Sequence, residues 1–168
     1  MQSTLIALVE DKPGVLNRVA SLFRRRAFNI ESLTVGHTEQ PGVSRMTIVV
    51  DSSRTDVQQV IRNLYKLVNV IKVEEVTDKP AVMRDLALIK VHANGGGTRA
   101  EVMQIVETFR ARVVDVGLKT LMVEVTGTED KIDGLVEVLR PFGIVEMVRT
   151  GRVAMVRGTA EPLSAPAD

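Results

Sequence analysis

The alternation of apolar and polar positions divides the first half of the chain into six short segments. Residues 5–9 are apolar throughout, which predicts a buried strand. From Val15 onward, apolar residues recur at intervals of three and four, as on one face of a helix. Residues 30–35 and 44–50 alternate in polarity around a turn signal, so they predict a hairpin. A second helical stripe and one further strand complete the order strand, helix, strand, strand, helix, strand.

The second half repeats this order after a polar break that contains Pro80. A strand over residues 86–91 leads through three glycines at 95–97 into a helix, for which Thr98 and Glu101 predict a capping box. Two alternating strands, a second helix and a last strand follow. We therefore predict an α+β protein built from two tandem ferredoxin-like βαββαβ sandwiches.

These segments also predict the domain boundaries. The first domain covers residues 1–78 and the second covers 85–157, with a linker at 79–84. The last residues are rich in alanine and proline, so we expect 158–168 to form a mobile tail.

The composition excludes several classes of function. The 168 residues carry 22 basic and 21 acidic side chains, a net charge of +1, which removes the electrostatic case for a nucleic-acid partner. The absence of cysteine excludes disulfides and thiol catalysis, and it agrees with the reducing cytoplasm in which we expect the chain to act. No apolar run reaches the ~18 residues that a membrane helix needs. The N-terminus also lacks the pattern of a signal peptide.

The sequence offers no convincing catalytic centre. The two histidines, His37 and His92, have no carboxylates or cysteines nearby at metal-ligand spacing. No Gly-x-Ser-x-Gly or Cys/His pattern indicates a nucleophile, and residues 94–98 lack the Gly-Lys-Ser/Thr ending of a P-loop. We therefore expect no catalytic residues, no metal site and no bound cofactor on this chain.

One loop has features of a ligand site. The stretch Asp11-Lys12-Pro13-Gly14 joins the first strand to the first helix, where backbone N–H groups and the positive end of the helix dipole face outward. Pro13 suits a first helical turn, and Gly14 lets a ligand come close. A small zwitterion would place its carboxylate at the N–H groups and its ammonium at Asp11. A strand-to-helix connection that binds nothing explains the same residues.

The sequence around this loop resembles a known family. Asp11-x-Pro13-Gly14-x-Leu16 is similar to the loop of ACT domains, which are βαββαβ modules that sense amino acids. A longer set of segments resembles the regulatory small subunits of acetolactate synthase (acetohydroxyacid synthase), and Asn-Ile-Glu-Ser-Leu-Thr-Val at 29–35 is its most distinctive part. The segments that carry this resemblance are residues 11–19, 22–26, 29–35, 44–48, 67–70 and, more loosely, the second half as far as Gly151.

The resemblance implies a non-catalytic subunit whose first domain is an ACT domain. In this family the large subunit holds thiamine diphosphate, Mg²⁺ and FAD, and it joins two pyruvates into 2-acetolactate with loss of CO₂. It also condenses pyruvate with 2-oxobutanoate. The small subunit pairs through its ACT domains, raises the activity of the large subunit and makes that activity sensitive to valine. The implied role is feedback regulation in the biosynthesis of valine, isoleucine and leucine.

The resemblance also implies a valine site between two ACT domains. Asn29 and Ile30 of one chain would meet the loop of another chain. Family members often carry Asn in place of Asp11 and a small residue in place of Asn17, so the preferred amino acid stays open. The second half lacks the Asp-x-Pro-Gly pattern and is assigned no amino-acid site. The residues implied for valine binding are Asp11, Gly14, Val15, Asn17, Asn29 and Ile30.

Two other classes of function fit parts of the sequence. A stand-alone ACT protein that regulates a different enzyme or a repressor would share the loop, and only the distinctive segment at 29–35 argues against it. A small enzyme on a ferredoxin-like sandwich would need an acid–base or nucleophile set, which the sequence does not offer.

Overall fold

The computed structural model describes residues 1–158 and 161–166, which form two compact units. The first unit comprises Met1–Val82 together with the described residues from Arg152 onward, and the second comprises Met83–Gly151. The elements of the first unit are β1 (Gln2–Glu10), α1 (Val15–Arg25), β2 (Ile30–His37), β3 (Val43–Asp51), α2 (Val57–Leu64) and β4 (Val70–Glu75).

The four strands of the first unit form an antiparallel sheet in the order β2-β3-β1-β4, with β2 at one edge. The two helices follow β1 and β3 and bury their apolar stripes on one face of the sheet. The side chain of Asp56 begins α2 by accepting hydrogen bonds from the N–H groups of Gln58 and Gln59. The buried cluster consists of Leu5, Ala7, Val9, Val15, Val19, Leu22, Phe23, Met46, Ile48, Val50, Val60, Leu64 and Val73.

The other face of β1 is buried as well. Side chains alternate along a strand, so Thr4, Ile6 and Leu8 point away from the helices. Their exposed fractions are nevertheless only 0%, 0% and 2%. The unbroken apolar run at residues 5–9 therefore reflects a strand that is buried on both faces.

The C-terminal segment contacts this second face. Arg152 donates from Nη1 to Thr4 Oγ1 at 2.8 Å and from Nη2 to Gln2 Oε1 at 3.0 Å. Arg45, on β3, donates to the backbone carbonyl of Ala154 at 2.7 Å. Burial lowers the pKa of this arginine, although nearby carboxylates oppose the effect. Two arginines thus hold the segment on the sheet: Arg45 belongs to the sheet, and Arg152 belongs to the segment.

The second unit repeats the architecture. Its strands follow the order β6-β7-β5-β8, whereas the short strand β9 (Val153–Val156) belongs to the first unit. Its elements are β5 (Ala81–His92), α3 (Gly96–Thr108), β6 (Arg112–Val116), β7 (Thr120–Gly127), α4 (Glu129–Leu139) and β8 (Ile144–Arg149). Its buried cluster consists of Ala87, Ile89, Val91, Ala93, Val102, Val106, Leu121, Val123, Val125, Ile132, Leu135, Val136 and Leu139.

The predicted fold class is confirmed: both units are α+β sandwiches with antiparallel sheets. No helix among the described residues is long and apolar enough to cross a membrane. The helix α3 begins at Gly96, with Gly95 before it, so the capping box predicted for Thr98 and Glu101 is wrong. The left-handed φ of Gly95 (82°) starts the helix earlier than the side-chain pattern indicates.

The strand and unit boundaries differ from the predicted ones in two places. β5 begins at Ala81, inside the segment predicted as a linker (79–84). The linker prediction is wrong because Arg84 and Asp85 interrupt the apolar pattern, although the strand continues through them. Residues 152–157 were predicted to end the second domain, yet they lie with the first unit. Their hydrogen bonds to the first sheet join positions that are distant in sequence, and no local pattern reveals them.

The tail predicted at residues 158–168 is partly described. The backbone N–H of Ala165 donates to Gln40 Oε1 at 2.9 Å, and Gln40 Nε2 donates to the carbonyl of Ala165 at 3.3 Å. Ala165 is also buried. The tail therefore contacts the first unit at this residue, while 159, 160, 167 and 168 lie outside the described residues.

We predict that Arg152→Ala destabilises the first unit by about 2 kcal/mol, because it removes two hydrogen bonds from a charged donor and leaves the buried Thr4 hydroxyl without that donor. Urea unfolding of the full chain measures the effect. Arg25→Ala, at the exposed end of α1, is the matched control and should change stability by less than about 0.5 kcal/mol. Equal effects of the two substitutions would contradict the prediction.

Candidate functional site

The loop between β1 and α1 has the geometry of a helix start with an exposed mouth. Gly14 precedes α1 with φ 86° and ψ −8°, a left-handed conformation that favours glycine. A Cβ built on Gly14 would meet nothing within 4 Å, so the space above it is open. Among the described residues no side chain caps the first turn of α1. Its outward N–H groups can therefore serve an anionic group.

The hairpin between β2 and β3 supports this loop from one side. The N–H of Asp11 donates to the carbonyl of Gly42 at 2.8 Å. The carboxylate of Asp11 lies 3.2 Å from Nδ1 of His37, the last residue of β2. Both side chains are exposed, at 44% and 85% respectively. His37 is therefore a neighbour of the loop, although its place at the end of a strand does not indicate this contact.

A second set of contacts lies at the base of the loop. Glu10 ends β1, and its Oε2 lies 2.5 Å from Nζ of Lys12. The hydrogen bond from Lys12 is the main reason why the pKa of Glu10 lies below its ordinary value, and burial opposes this lowering. The charge of Lys12 and a hydrogen bond from Asn69 lower the pKa further. A charged carboxylate, in contact with Lys12, therefore borders the loop at neutral pH.

The structure separates the six predicted residues into two groups. Asp11, Gly14, Val15 and Asn17 are close together in the loop and the first turn of α1. The side chain of Val15 is buried in the core, so only its backbone can face a ligand. The apolar side chain of Leu16 is 48% exposed beside Asn17, and it was not among the predicted residues.

Asn29 and Ile30 lie at the opposite end of β2 from the loop. Ile30 begins the eight-residue strand and pairs with Val50, whereas His37 ends it and contacts Asp11. At about 3.3 Å per residue, the two ends of β2 are about 23 Å apart. A single chain therefore does not bring Asn29 and Ile30 to the loop.

The second unit offers no comparable centre. His92 ends β5 and lies against Gly143, where an added Cβ would come within 2.9 Å of the imidazole. Across the described ranges, 1–158 and 161–166, no cluster of three or more histidine, cysteine, aspartate or glutamate side chains could hold a metal ion. Of the glycines at 95–97, Gly95 precedes α3 without a side-chain cap, and Gly96 and Gly97 begin the helix.

Comparisons with known proteins match both halves of the chain. Residues 5–72 match the family model described as an AHAS small subunit-like ACT domain, and residues 84–158 match the one described as the small subunit of acetolactate synthase. The chain belongs to the acetolactate synthase small subunit family. The resemblance that the sequence analysis identified is thereby confirmed, and the first domain is an ACT domain.

Individual members of the family agree over nearly the whole chain. The probable acetolactate synthase small subunit of Archaeoglobus fulgidus is 54% identical over 94% of this chain and 98% of its own length. The acetolactate synthase small subunit of Bacillus subtilis is 47% identical over 98% of this chain and 95% of its own. The crystal structure of the small subunit from Thermotoga maritima has a TM-score of 0.85 and 39% identity, over 94% and 98% of the two chains.

The lowered pKa of Glu10 predicts a pH-dependent effect of Glu10→Gln on stability. Because the pKa in the folded state lies below the ordinary value of 4.5, the carboxylate stabilises the fold above that value and loses this contribution as the pH falls through the folded-state pKa. The substitution should therefore destabilise the chain more at pH 7 than at about pH 3. Urea unfolding at both pH values measures the difference, and an equal effect at both would contradict the prediction.

Proposed function

We propose that this chain is a cytoplasmic regulatory subunit that activates the large catalytic subunit of acetolactate synthase and makes it sensitive to valine. The valine sites lie between the ACT domains of two copies of the chain. Family membership supports the role as a small subunit with a catalytic partner. The observation that carries the proposed site is the separation of its two groups of residues along β2.

A second copy of the chain supplies what one copy lacks. β2 is the edge strand of its sheet, so a second β2 can pair with it and extend the sheet across both chains. In an antiparallel pairing centred between Leu33 and Thr34, Ile30 of one copy lies opposite His37 of the other. Since His37 marks the position of the Asp11 loop, Asn29 and Ile30 then reach the loop of the second copy. Two equivalent sites result.

The chemistry of each site suits a small amino acid with an apolar side chain. The carboxylate of valine meets the outward N–H groups at the start of α1, an attraction worth about 0.3–2 kcal/mol. Its ammonium meets Asp11, and its isopropyl group lies near the exposed Leu16 and the partly buried Ile30. One methylene changes binding by about 1–3 kcal/mol, so discrimination among valine, leucine and isoleucine is modest.

The reaction itself belongs to the large subunit. Thiamine diphosphate, Mg²⁺ and FAD on that subunit supply the chemistry that joins two pyruvates into 2-acetolactate with loss of CO₂. Valine on this chain changes the rate only through the way in which the paired ACT domains engage the large subunit. The size of the effect equals the difference in valine affinity between the activating and the inhibited arrangement.

The decisive experiment measures acetolactate formation by the cognate large subunit, alone, with this chain, and with this chain plus valine. We expect the chain to raise the rate and valine to reverse that rise. An unchanged rate would contradict the proposal, and it would favour an ACT protein that regulates a different enzyme.

We predict that Gly14→Asp abolishes inhibition by valine and preserves activation. The substitution places a carboxylate at the N–H groups that would receive the carboxylate of valine. It meets no steric clash, although the positive φ of Gly14 (86°) adds backbone strain. Gly95→Asp is the matched control, because Gly95 also precedes a helix with positive φ (82°) and nothing within 4 Å of its Cβ position. Normal inhibition of the Gly14→Asp variant would show that the site is elsewhere.

A mixing experiment tests whether each site is shared between two chains. Gly14→Asp and Asn29→Ala should each abolish valine inhibition in their own homodimers. Refolding the two variants together creates mixed dimers in which one site combines the intact loop of one chain with the intact Asn29 of the other. We expect about half of the dimers to regain one valine site, detected by calorimetry. No recovery of valine binding would place the whole site within one chain.

A further inference from the structure

A buried asparagine links the two elements that hold the ligand loop. Asn69 lies just before β4 and is 7% exposed. Its carbonyl oxygen accepts a hydrogen bond from the backbone N–H of Glu10 at 2.9 Å. Its side-chain Nδ2 donates to Oε2 of Glu10 at 3.5 Å, and its Oδ1 accepts from Nη1 of Arg18 at 2.5 Å. One side chain thus contacts residues 59 and 51 positions away.

These partners lie on the two sides of the loop. Glu10 is the last residue of β1, and Arg18 is in the first turns of α1, where its N–H donates to the carbonyl of Gly14 at 3.0 Å. The loop, residues 11–14, spans the gap between them. Asn69 therefore bridges the end of β1 and the start of α1 at the base of the loop.

An amide side chain suits this bridge next to Glu10 and Arg18. Only a group that both donates and accepts can face a carboxylate and a guanidinium at once, and asparagine does so with a short, stiff side chain. The pairing of β1 with β4 shifts register between Leu8 and Val9, which moves the chain before β4 into reach of Glu10. The backbone and the side chain of Asn69 thus both contact Glu10, at the end of β1.

We infer that Asn69 is a positioning residue of the amino-acid site. It does not touch the amino acid; it sets the direction in which Asp11 and the first-turn N–H groups of α1 face it. This inference rests on the proposed valine site. It requires that valine affinity depends on the Asn69 bridge, whereas activation of the large subunit in the absence of valine does not.

The test measures valine affinity by calorimetry on the full chain, and activation by acetolactate formation with the large subunit. Asn69→Ala removes both side-chain hydrogen bonds, and Asn69→Asp sets a second carboxylate against Glu10. Each should weaken valine binding about tenfold, the loss expected for a buried hydrogen bond to a charged group, with activation kept within about twofold. Arg18→Met, on the exposed face of α1, should weaken binding about threefold without endangering the fold.

A rescue and a control separate positioning from stability. In the double variant Glu10→Gln/Asn69→Asp the amide and the carboxylate exchange places, so donor and acceptor are paired again and valine affinity should return to within about threefold of the original. Asn63→Ala removes a second buried asparagine, whose Nδ2 donates to the carbonyl of Gln59 within α2. It should lower the melting temperature and leave valine affinity unchanged.

The outcomes distinguish this inference from the proposed function. Valine affinity that is unchanged in the Asn69 and Arg18 variants, or that falls equally in Asn63→Ala, would overturn the positioning role and leave the valine site intact. Failure of the double variant to recover affinity would overturn it as well. If the unaltered chain binds no valine, the proposed function and the inference fall together.

Discussion

Burial of β1 on both faces constrains the first unit more than any other interaction. Residues 5–9 are at most 2% exposed. The helices cover one face of the strand, and the C-terminal segment contacts residues on the other face of the sheet. Each such side chain contributes about 1.5–3 kcal/mol, so the strand supplies on the order of 10 kcal/mol. A register slip of one residue would turn every side chain to the other face. The end of β1 at Glu10 is therefore held in one place, and so is the loop that follows it.

That constraint explains why the loop can be exposed and still well defined. The loop is held by the strand before it, by the helix after it and by the hydrogen bond from Asp11 to Gly42. The two ends of the edge strand β2 lie next to different parts of the proposed site, so the site would need a second chain. In the proposed dimer, a two-fold axis at β2 would bring each end of one strand to the opposite end of the other.

The periodicity of the sequence predicts the elements of both units, since alternation and helical stripes are local consequences of a sheet covered by helices. It fails where the structure depends on distant contacts or on backbone conformation alone. Residues 152–157 carry no signal that they join the first sheet, because the hydrogen bonds of Arg45 and Arg152 span more than a hundred positions. The early start of α3 depends on the φ of Gly95, which apolar spacing does not encode.

The residues of the candidate site also differ in whether the local sequence reveals them. Asp11 and Gly14 are visible in the sequence because a strand, a turn and a helix start are adjacent there. Asn69 and His37 are not, since each reaches the loop only through the folded sheet. A weak signal for Asn69 exists nevertheless: it is a polar residue between Val68 and Val70, at the start of a strand whose neighbours are apolar. A buried polar side chain must find partners, and here the partners are the two residues that hold the loop in position.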